Sequence, residues 1–264
     1  MSISTVDGYF AAAKQNIPLT KTASRTSVAL IPFSTFDLAG NPGAGTLAGS
    51  STAAGIVPTD ATAGCPVINA FGGGATGYLT RVDYANTVLS RLAIYDMLFK
   101  AGAYAFNAAT TLASQPSFLG RCPDGAGNGN EIWIEAVTAF TGNLSIAVTY
   151  TNQAGTTGRT TGTVATGAAL TVGRMVQLPL QAGDSGVQKI ESVTGTVATV
   201  GTFNVLVLRP LWNQRITVAN GGGIDDWFKT GAPIVYADSA IIAVPQADST
   251  STGLPDIIIE IANA

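Results

Sequence analysis

The second half of this chain consists of short β-branched runs separated by turn residues. From Glu131 onward, runs such as "EIWIEAV" and "VQKIESV" alternate with clusters of Gly, Pro, Asn and Asp, at spacings of about 8–12 residues. No helix-like segment separates these runs, so crossover helices for a parallel sheet are missing. We therefore predict a mainly β, antiparallel β-sandwich in residues 131–264, of the jelly-roll type, with about nine strands.

One of these runs shows which residue types are expected on the outward face of a strand. Ile146, Val148 and Tyr150 fall on one side of an extended chain, while Ala147 and Thr149 fall on the other. Charged residues make up only 11% of the chain, against a typical value of about 25%. Burying a hydroxyl costs far less than burying an unpaired charge. We therefore expect much of the surface to contact partners or repeated copies of the chain.

The first 77 residues are predicted to form an extended arm and a low-charge segment. Ser4 and Asp7 stand at capping-box spacing before a short helix that Pro18 would end. Residues 37–77 are rich in Gly, Ala, Ser, Thr and Pro and contain no basic residue. Loops beyond about 12–15 residues are uncommon in compact domains. We therefore expect this segment to be ordered only through a neighbouring surface.

Residues 78–106 give the strongest helix signal. Val82, Ala85, Leu89 and Leu92 follow the spacing of one apolar helix face. This predicts one long helix, followed by a connecting loop that reaches residue 130. The domain prediction is then an arm and low-charge segment over 1–77, a helix and loop over 78–130, and a β-sandwich body over 131–264.

Composition excludes several classes of function. The chain has no histidine, which removes His-based triads and imidazole metal sites, so "GDSG" at 183–186 is expected to be a turn and not a protease nucleophile. The formal net charge of −3 and the scattered basic residues argue against direct nucleic-acid binding. No stretch approaches ~18 consecutive apolar residues, so we expect no membrane contact, and assembly in the host cytoplasm.

Three motifs with possible ligands are weak. "GGGATG" at 72–77 satisfies a dinucleotide-binding spacing, but no second parallel strand with an acidic end follows it. Asp124 and Glu135 stand at the first and last positions of a calcium loop without flanking helices. Asp225 and Asp226 could help to hold a metal, but a solvated turn is the simpler interpretation. We expect no catalytic, cofactor-binding or metal-binding residues.

Two cysteines and three tryptophans leave alternatives open. Cys65 and Cys122 are expected to be two half-buried thiols, with a single disulfide as the alternative. Trp133, Trp212 and Trp227 are expected to anchor the core or an interface. If the protein is instead a carbohydrate- or receptor-binding module, they should form an exposed aromatic cleft.

Two segments carry a resemblance to a known family. They are "IEAVTAFTGNLSIAVTYTNQAGTTGRTT" at 134–161 and "LPLQAGDSGVQKIESVTGTVATVGTFNVLVLRPL" at 178–211. They are similar to tailed-bacteriophage virion structural proteins, in which a "TVTYTNQDG..GR" strand and turn precede "LQAGDTGVRSV" and "FGLVLLRPL" strands. The resemblance covers about the second half of the chain, and no catalytic residue is attached to it.

The resemblance implies a non-enzymatic virion component. Its most specific form is a capsid decoration or cement protein that bridges major capsid subunits and neighbouring copies of itself, as a trimer. A tail or baseplate component, or a carbohydrate- or receptor-binding virion module, is the alternative. The low charge content of the chain is in keeping with any of these roles.

Overall fold

The computed structural model describes residue 3 and residues 5–106, 108–142, 145–164, 170–195, 200–251 and 253–264. Its helices are α1 (Val6–Ala11) and α2 (Trp227–Thr230), with a 3-10 turn at Leu119–Arg121. Its strands are β1 (Ala13–Pro18), β2 (Thr20–Lys21), β3 (Gly40–Asn41), β4 (Gly77–Asn86), β5 (Ser90–Ala105), β6 (Ala109–Thr111), β7 (Glu131–Thr138), β8 (Ile146–Asn152), β9 (Arg159–Thr160), β10 (Met175–Leu178), β11 (Val187–Gly195), β12 (Thr202–Ile216), β13 (Gly221–Asp225), β14 (Ile234–Val235), β15 (Ile241–Ala247) and β16 (Pro255–Asn263).

The mainly β, antiparallel prediction is confirmed. In the described part of residues 131–264, ten strands form where about nine were expected. In β8, Ile146, Val148 and Tyr150 are buried while Ala147 and Thr149 are half-buried, as the alternation predicts. The period of two therefore identified the inward face of this strand correctly.

The prediction of one long helix is wrong, because residues 78–106 form most of β4 and all of β5. Two of the four residues expected on its apolar face, Ala85 and Leu89, are exposed. β5 is buried on both faces for most of its length. Such a strand gives a near-continuous apolar run, which periodicity alone cannot distinguish from a buried helix.

A central five-stranded sheet, ordered β10-β7-β12-β5-β15, holds the molecule together. β5 and β12 are long, with 16 and 15 residues, so this sheet has two halves that pack against different partners. At one half it packs on the β6-β11-β8-β9 sheet, and Phe99 and Phe203 share a core with Val148. At the other half it packs on the β1-β16-β4-β13 sheet, and Leu92 shares a core with Val82.

The opposite face of the central sheet is partly covered by the low-charge segment. Cys65 of this segment, together with Phe36 just before it, shares a core with Met97 and Met175 of this face. The backbone of Ile56 exchanges two hydrogen bonds with the backbone of β5. The segment therefore has partners within its own chain, which the expectation of order through neighbours did not anticipate.

The N-terminal residues also pack on the body. The short helix exists as α1, but it ends at Ala11 and not at Pro18 as predicted. Its cap is Thr5, whose hydroxyl accepts the Gly8 N–H at 3.0 Å, while Ser4 lies outside the described residues. The chain continues from Ala13 as β1, which pairs with β16 and buries Ile17. Since β4 pairs with β16 as well, all three predicted domains contribute to one sheet, and the division into 1–77, 78–130 and 131–264 stays a prediction. Among the residues that the structure describes, no helix is long and apolar enough to cross a membrane.

Candidate functional site

A buried ion cluster lies where the two halves of the central sheet meet. The Asp96 carboxylate accepts hydrogen bonds from Arg209 Nη2 at 3.1 Å, Ser239 Oγ at 2.8 Å and the Ala240 N–H at 2.9 Å. Arg121 Nη1 lies 3.5 Å from the same carboxylate. All these polar groups are buried, and each has structural partners. Only Arg121 Nε and Arg209 Nε lack a hydrogen-bond partner in this cluster, and the cluster joins elements of the fold.

A second polar cluster holds the low-charge segment on the central sheet. Buried Glu135 accepts a hydrogen bond from Asn204 Nδ2 at 2.8 Å and lies 3.9 Å from Lys100 Nζ. Asn204 also donates to the Leu47 carbonyl at 2.6 Å, and Lys100 donates to the Thr46 carbonyl at 3.0 Å. Burial raises the pKa of Glu135 and lowers the pKa of Lys100. The side chains of the sheet thus satisfy backbone groups of an irregular segment.

The two segments that carry the family resemblance meet in space. Asp184, in the "GDSG" turn, accepts hydrogen bonds from Tyr150 Oη at 2.6 Å, Asn152 Nδ2 at 2.7 Å and Arg159 Nε at 2.9 Å. The Arg159 bond, with those from Tyr150 and Asn152, lowers the pKa of Asp184 to about 2 against the opposing effect of burial. The turn prediction is confirmed, and hydrogen bonds of the motif residues hold this turn against the strand and loop of residues 150–159.

The calcium-loop pattern is used by the protein itself. Asp124 accepts the backbone N–H groups of Ala126, Gly127 and Asn128 at 2.9–3.0 Å. Hydrogen bonds from Asn128 and these amides lower the pKa of Asp124 to about 2, although burial opposes them. The last position, Glu135, is engaged with Asn204 instead. Among the described residues, no cluster of three or more metal-ligating side chains occurs.

The two cysteines are free, buried thiols, so the two-thiol interpretation is confirmed and the disulfide alternative is wrong. Burial raises the pKa of Cys65 to about 12 and also raises the pKa of Cys122. A thiolate, not a thiol, is the nucleophile and metal ligand. Neither side chain is therefore suited to nucleophilic or metal chemistry.

The remaining acidic pair and glycine motif are structural. Asp225 is buried and accepts hydrogen bonds from Trp212 Nε1 at 2.9 Å and Lys229 Nζ at 2.5 Å, so the solvated-turn interpretation is wrong for this residue. Asp226 is exposed and caps α2 by accepting the Lys229 N–H at 3.1 Å. The "GGGATG" stretch leads into β4, so the helix N-terminus that a dinucleotide phosphate would need is missing there.

One exposed surface is aromatic. We define the aromatic patch as Tyr9 and Phe10 of α1 with Trp227 and Phe228 of α2. Tyr9 stacks on Trp227 with centroids 6.0 Å apart, and Phe228 meets Trp227 edge-on at 5.8 Å. Phe10 is 73% exposed and Phe228 is 83% exposed. Tyr9 is fixed by its hydroxyl, which donates to Glu260 at 2.9 Å, so the patch is held on a rigid base.

A trough of about 560 Å³ lies on the opposite face of the central sheet from the two cores. Its floor contains Tyr95 and Trp133, whose rings meet edge-on at 5.8 Å. Burial raises the pKa values of Tyr95 and Glu131. The residues that line it are Leu30, Ile31, Pro32, Arg91, Ala93, Tyr95, Glu131, Trp133, Val164, Met175, Val176, Gln177, Pro210, Asn213, Val244 and Gln246.

The three tryptophans separate into different roles. Trp133 lines the trough, Trp212 is buried in the core beneath Tyr84, and Trp227 belongs to the aromatic patch. They do not form one cleft. No sequence signal pointed to Phe10 and Phe228, because nothing in their spacing marks two short helices as neighbours in space.

Comparisons with known proteins give little. No family model matches the chain, and no curated protein matches it. Among solved structures, the chain is similar to the infectious bursal disease virus Gx strain structure (9% identity, TM-score 0.16) and to the VP2 subviral particle of the same virus (11% identity, TM-score 0.18). Both matches cover 96% of this chain and 80% of the other. TM-scores this low do not establish a shared fold.

Proposed function

We propose that this chain is a non-enzymatic structural protein of a tailed-bacteriophage virion, and most specifically a capsid decoration or cement protein. In this proposal its β-sandwich body, of the jelly-roll type, binds to major capsid subunits and to neighbouring copies, as a trimer. The resemblance of residues 134–161 and 178–211 to virion structural proteins motivates the proposal.

The aromatic patch is the observation that carries it. Two phenylalanine rings stand almost fully in solvent on helices whose neighbouring rings are anchored. Exposed, rigid aromatic side chains are the usual centres of protein interfaces, because they bury a large area at a small cost in side-chain entropy. The low charge content of the chain supports the same conclusion, since flat contact with a shell then desolvates few charges.

The carboxylates support a role without catalysis. Asp96, Glu135 and Asp225 are buried and Asp184 is half-buried, and each accepts hydrogen bonds from structural partners. A hydrolase that relied on acids alone would need two carboxylates converging on a substrate. The described carboxylates instead stabilise the fold one at a time.

The test uses particles of the virus whose genome encodes this chain, prepared with the gene deleted. Purified full-length chain is added, and its occupancy is measured by gel densitometry. The temperature of genome release is followed with a DNA-binding dye. We expect saturable binding to heads and a higher release temperature. Binding should weaken only mildly with salt, since few charges are available to be screened.

A patch variant and a matched control sharpen the test. Phe10→Ser combined with Phe228→Ser should lower occupancy by about tenfold or more, as expected for interface anchors. Val218→Ser removes an apolar side chain that is 67% exposed outside the patch, and should bind like the unaltered chain. Full occupancy by the patch variant, or an unchanged release temperature without the chain, would contradict the proposal and favour a tail or baseplate role.

A further inference from the structure

The trough presents one polar side chain from each strand of the central sheet. Arg91 comes from β5, Glu131 from β7, Gln177 from β10, Asn213 from β12 and Gln246 from β15. This row runs diagonally over the sheet, because Arg91 pairs with Gln246 and Arg215 whereas Glu131 pairs with Leu208. Aromatic and aliphatic side chains lie between its members. Packing of the sheet does not require these polar side chains, because the other face of the central sheet packs through apolar residues over most of its area.

The side chains in the row have planar polar groups of mixed character. Three carboxamides each offer two N–H donors and a carbonyl acceptor, the guanidinium offers donors, and the carboxylate offers acceptors. A hydroxyl group donates and accepts at once, so a ligand with many hydroxyl groups matches this set. Glu131 and Gln246 already have partners, because Glu131 bonds to Trp133 and Gln177 and the Gln246 amide donates to the Leu30 carbonyl at 2.7 Å. A lipid or an apolar peptide would cover the exposed polar groups of Arg91 and Asn213 without replacing their hydrogen bonds to water, which costs free energy for each one.

The charge of the trough favours a neutral ligand. Arg91 and Glu131 contribute one charge of each sign, and Trp133 Nε1 already donates to Glu131 Oε2 at 2.8 Å. Phosphate recognition relies on clusters of basic side chains, and only one lines the trough among the described residues. The volume of about 560 Å³ lies within the range of small-molecule sites, about 300–1,000 Å³.

The aromatic residues complete the match. On the floor, Tyr95 is half-buried and Trp133 is buried, and the two rings meet edge-on at 5.8 Å, so Tyr95 offers the more accessible ring. An aromatic ring offers a rigid apolar surface, and the C–H groups of a sugar ring form a complementary apolar surface. Bounded by polar side chains, this floor suits a ligand that is apolar on its ring faces and polar at its rim.

We propose that the trough binds a neutral oligosaccharide of two or three rings. Glu131 is the one carboxylate among the described residues that line it, so the trough lacks the pair that glycoside hydrolysis uses. The site therefore binds the saccharide and does not cleave it. This inference is independent of the capsid role, because the trough and the aromatic patch share no residue.

The test is calorimetric titration of the full-length chain with maltotriose, cellotriose and chitotriose, each up to about 10 mM, a range that detects weak millimolar binding. We expect at least one of the three to bind. Gln177→Ala combined with Asn213→Ala should then weaken binding by about tenfold or more. Both side chains are exposed, so these changes should leave the fold intact, which circular dichroism checks.

Gln214→Ala is the matched control. Gln214 follows Asn213 on β12, and its side chain is directed away from the trough, toward Asp225. Its removal should leave saccharide affinity within about twofold. If none of the three saccharides binds, or if the Gln177 and Asn213 variant binds as tightly as the control, the proposal is overturned. If an extended peptide binds in the trough and none of the three saccharides displaces it, the proposal is equally overturned.

Discussion

The two faces of the central sheet are closed by different means. One face packs against two regular sheets, through apolar side chains at both ends and the Asp96 cluster between them. The other face is covered by an irregular segment that buried polar side chains hold in place, and the rest of it stays open as the trough. The difference separates the part of the molecule that gives stability from the part that is free to bind.

The largest effect is expected at the junction on the first face. Asp96→Asn keeps the volume of the side chain but leaves Arg121 and Arg209 buried without a carboxylate. Breaking a buried ion pair in this way costs about 3–5 kcal/mol of unfolding free energy. Urea unfolding followed by fluorescence measures it.

A half-exposed ion pair provides the control for that measurement. Asp83→Asn removes the partner of Arg81, and such a pair contributes about 0–1 kcal/mol. If the Asp96 variant lost no more stability than the Asp83 variant, the junction between the two halves would not depend on its ion cluster. The apolar cores alone would then hold the first face.

A smaller and more local effect is expected on the second face. Glu135→Gln should lower the unfolding free energy by about 1–3 kcal/mol. The loss is modest because burial already disfavours the charged forms of Glu135 and Lys100, so their ion pair contributes little to stability. Hydrogen exchange should speed up at residues 46–49, which bond to this cluster. Exchange in β11, on the far side of the opposite core, serves as the internal control.

The same experiment on the unaltered chain decides how the low-charge segment is ordered. Protection of residues 37–77 in the isolated protein would show that its own body holds it, as the contacts of Thr46 and Leu47 indicate. If residues 37–77 exchange rapidly in the isolated protein and become protected only on particles, the segment is ordered through its neighbours, as the sequence predicts.

The smallest effect is expected from pH at the loop cluster of Asp184. Its pKa is lowered from 3.8 to about 2 in the folded chain, so its contribution to stability is complete above its ordinary value and is lost as pH falls from about 4 toward 2. Asp184→Asn should therefore be less stable than the unaltered chain at about pH 6, with a smaller difference at about pH 2. A difference in urea midpoint that stays constant with pH would contradict this assignment.

The same comparison explains which features could be predicted from the sequence. β8 and β16 were predictable because one face of each is apolar and the turn residues that bound them are distinctive. β5 was mistaken for helix because both of its faces are covered, so its apolar residues follow no period of two. Local pattern is informative only where one face of an element meets water.

The candidate sites were harder to predict, for a different physical reason. Gln177 and Asn213 are ordinary surface residues in sequence, and they line the same trough only because the strand order places β10 and β12 in one sheet. Phe10 and Phe228 likewise belong to one patch because the pairing of strands far apart in the chain brings their neighbours Tyr9 and Trp227 into contact. Of the three tryptophans singled out, Trp133 and Trp227 do reach these surfaces, at separate places.

The most direct test of the proposed function is a cryo-EM reconstruction of particles of the virus that is proposed to contain this chain. The account predicts density for the chain on the outside of the head, with Phe10 and Phe228 buried against a major capsid subunit or a neighbouring copy. The trough, on its separate face, should remain open to solvent. Density for the chain in the tail, or on the head with both phenylalanines in solvent, would contradict the account.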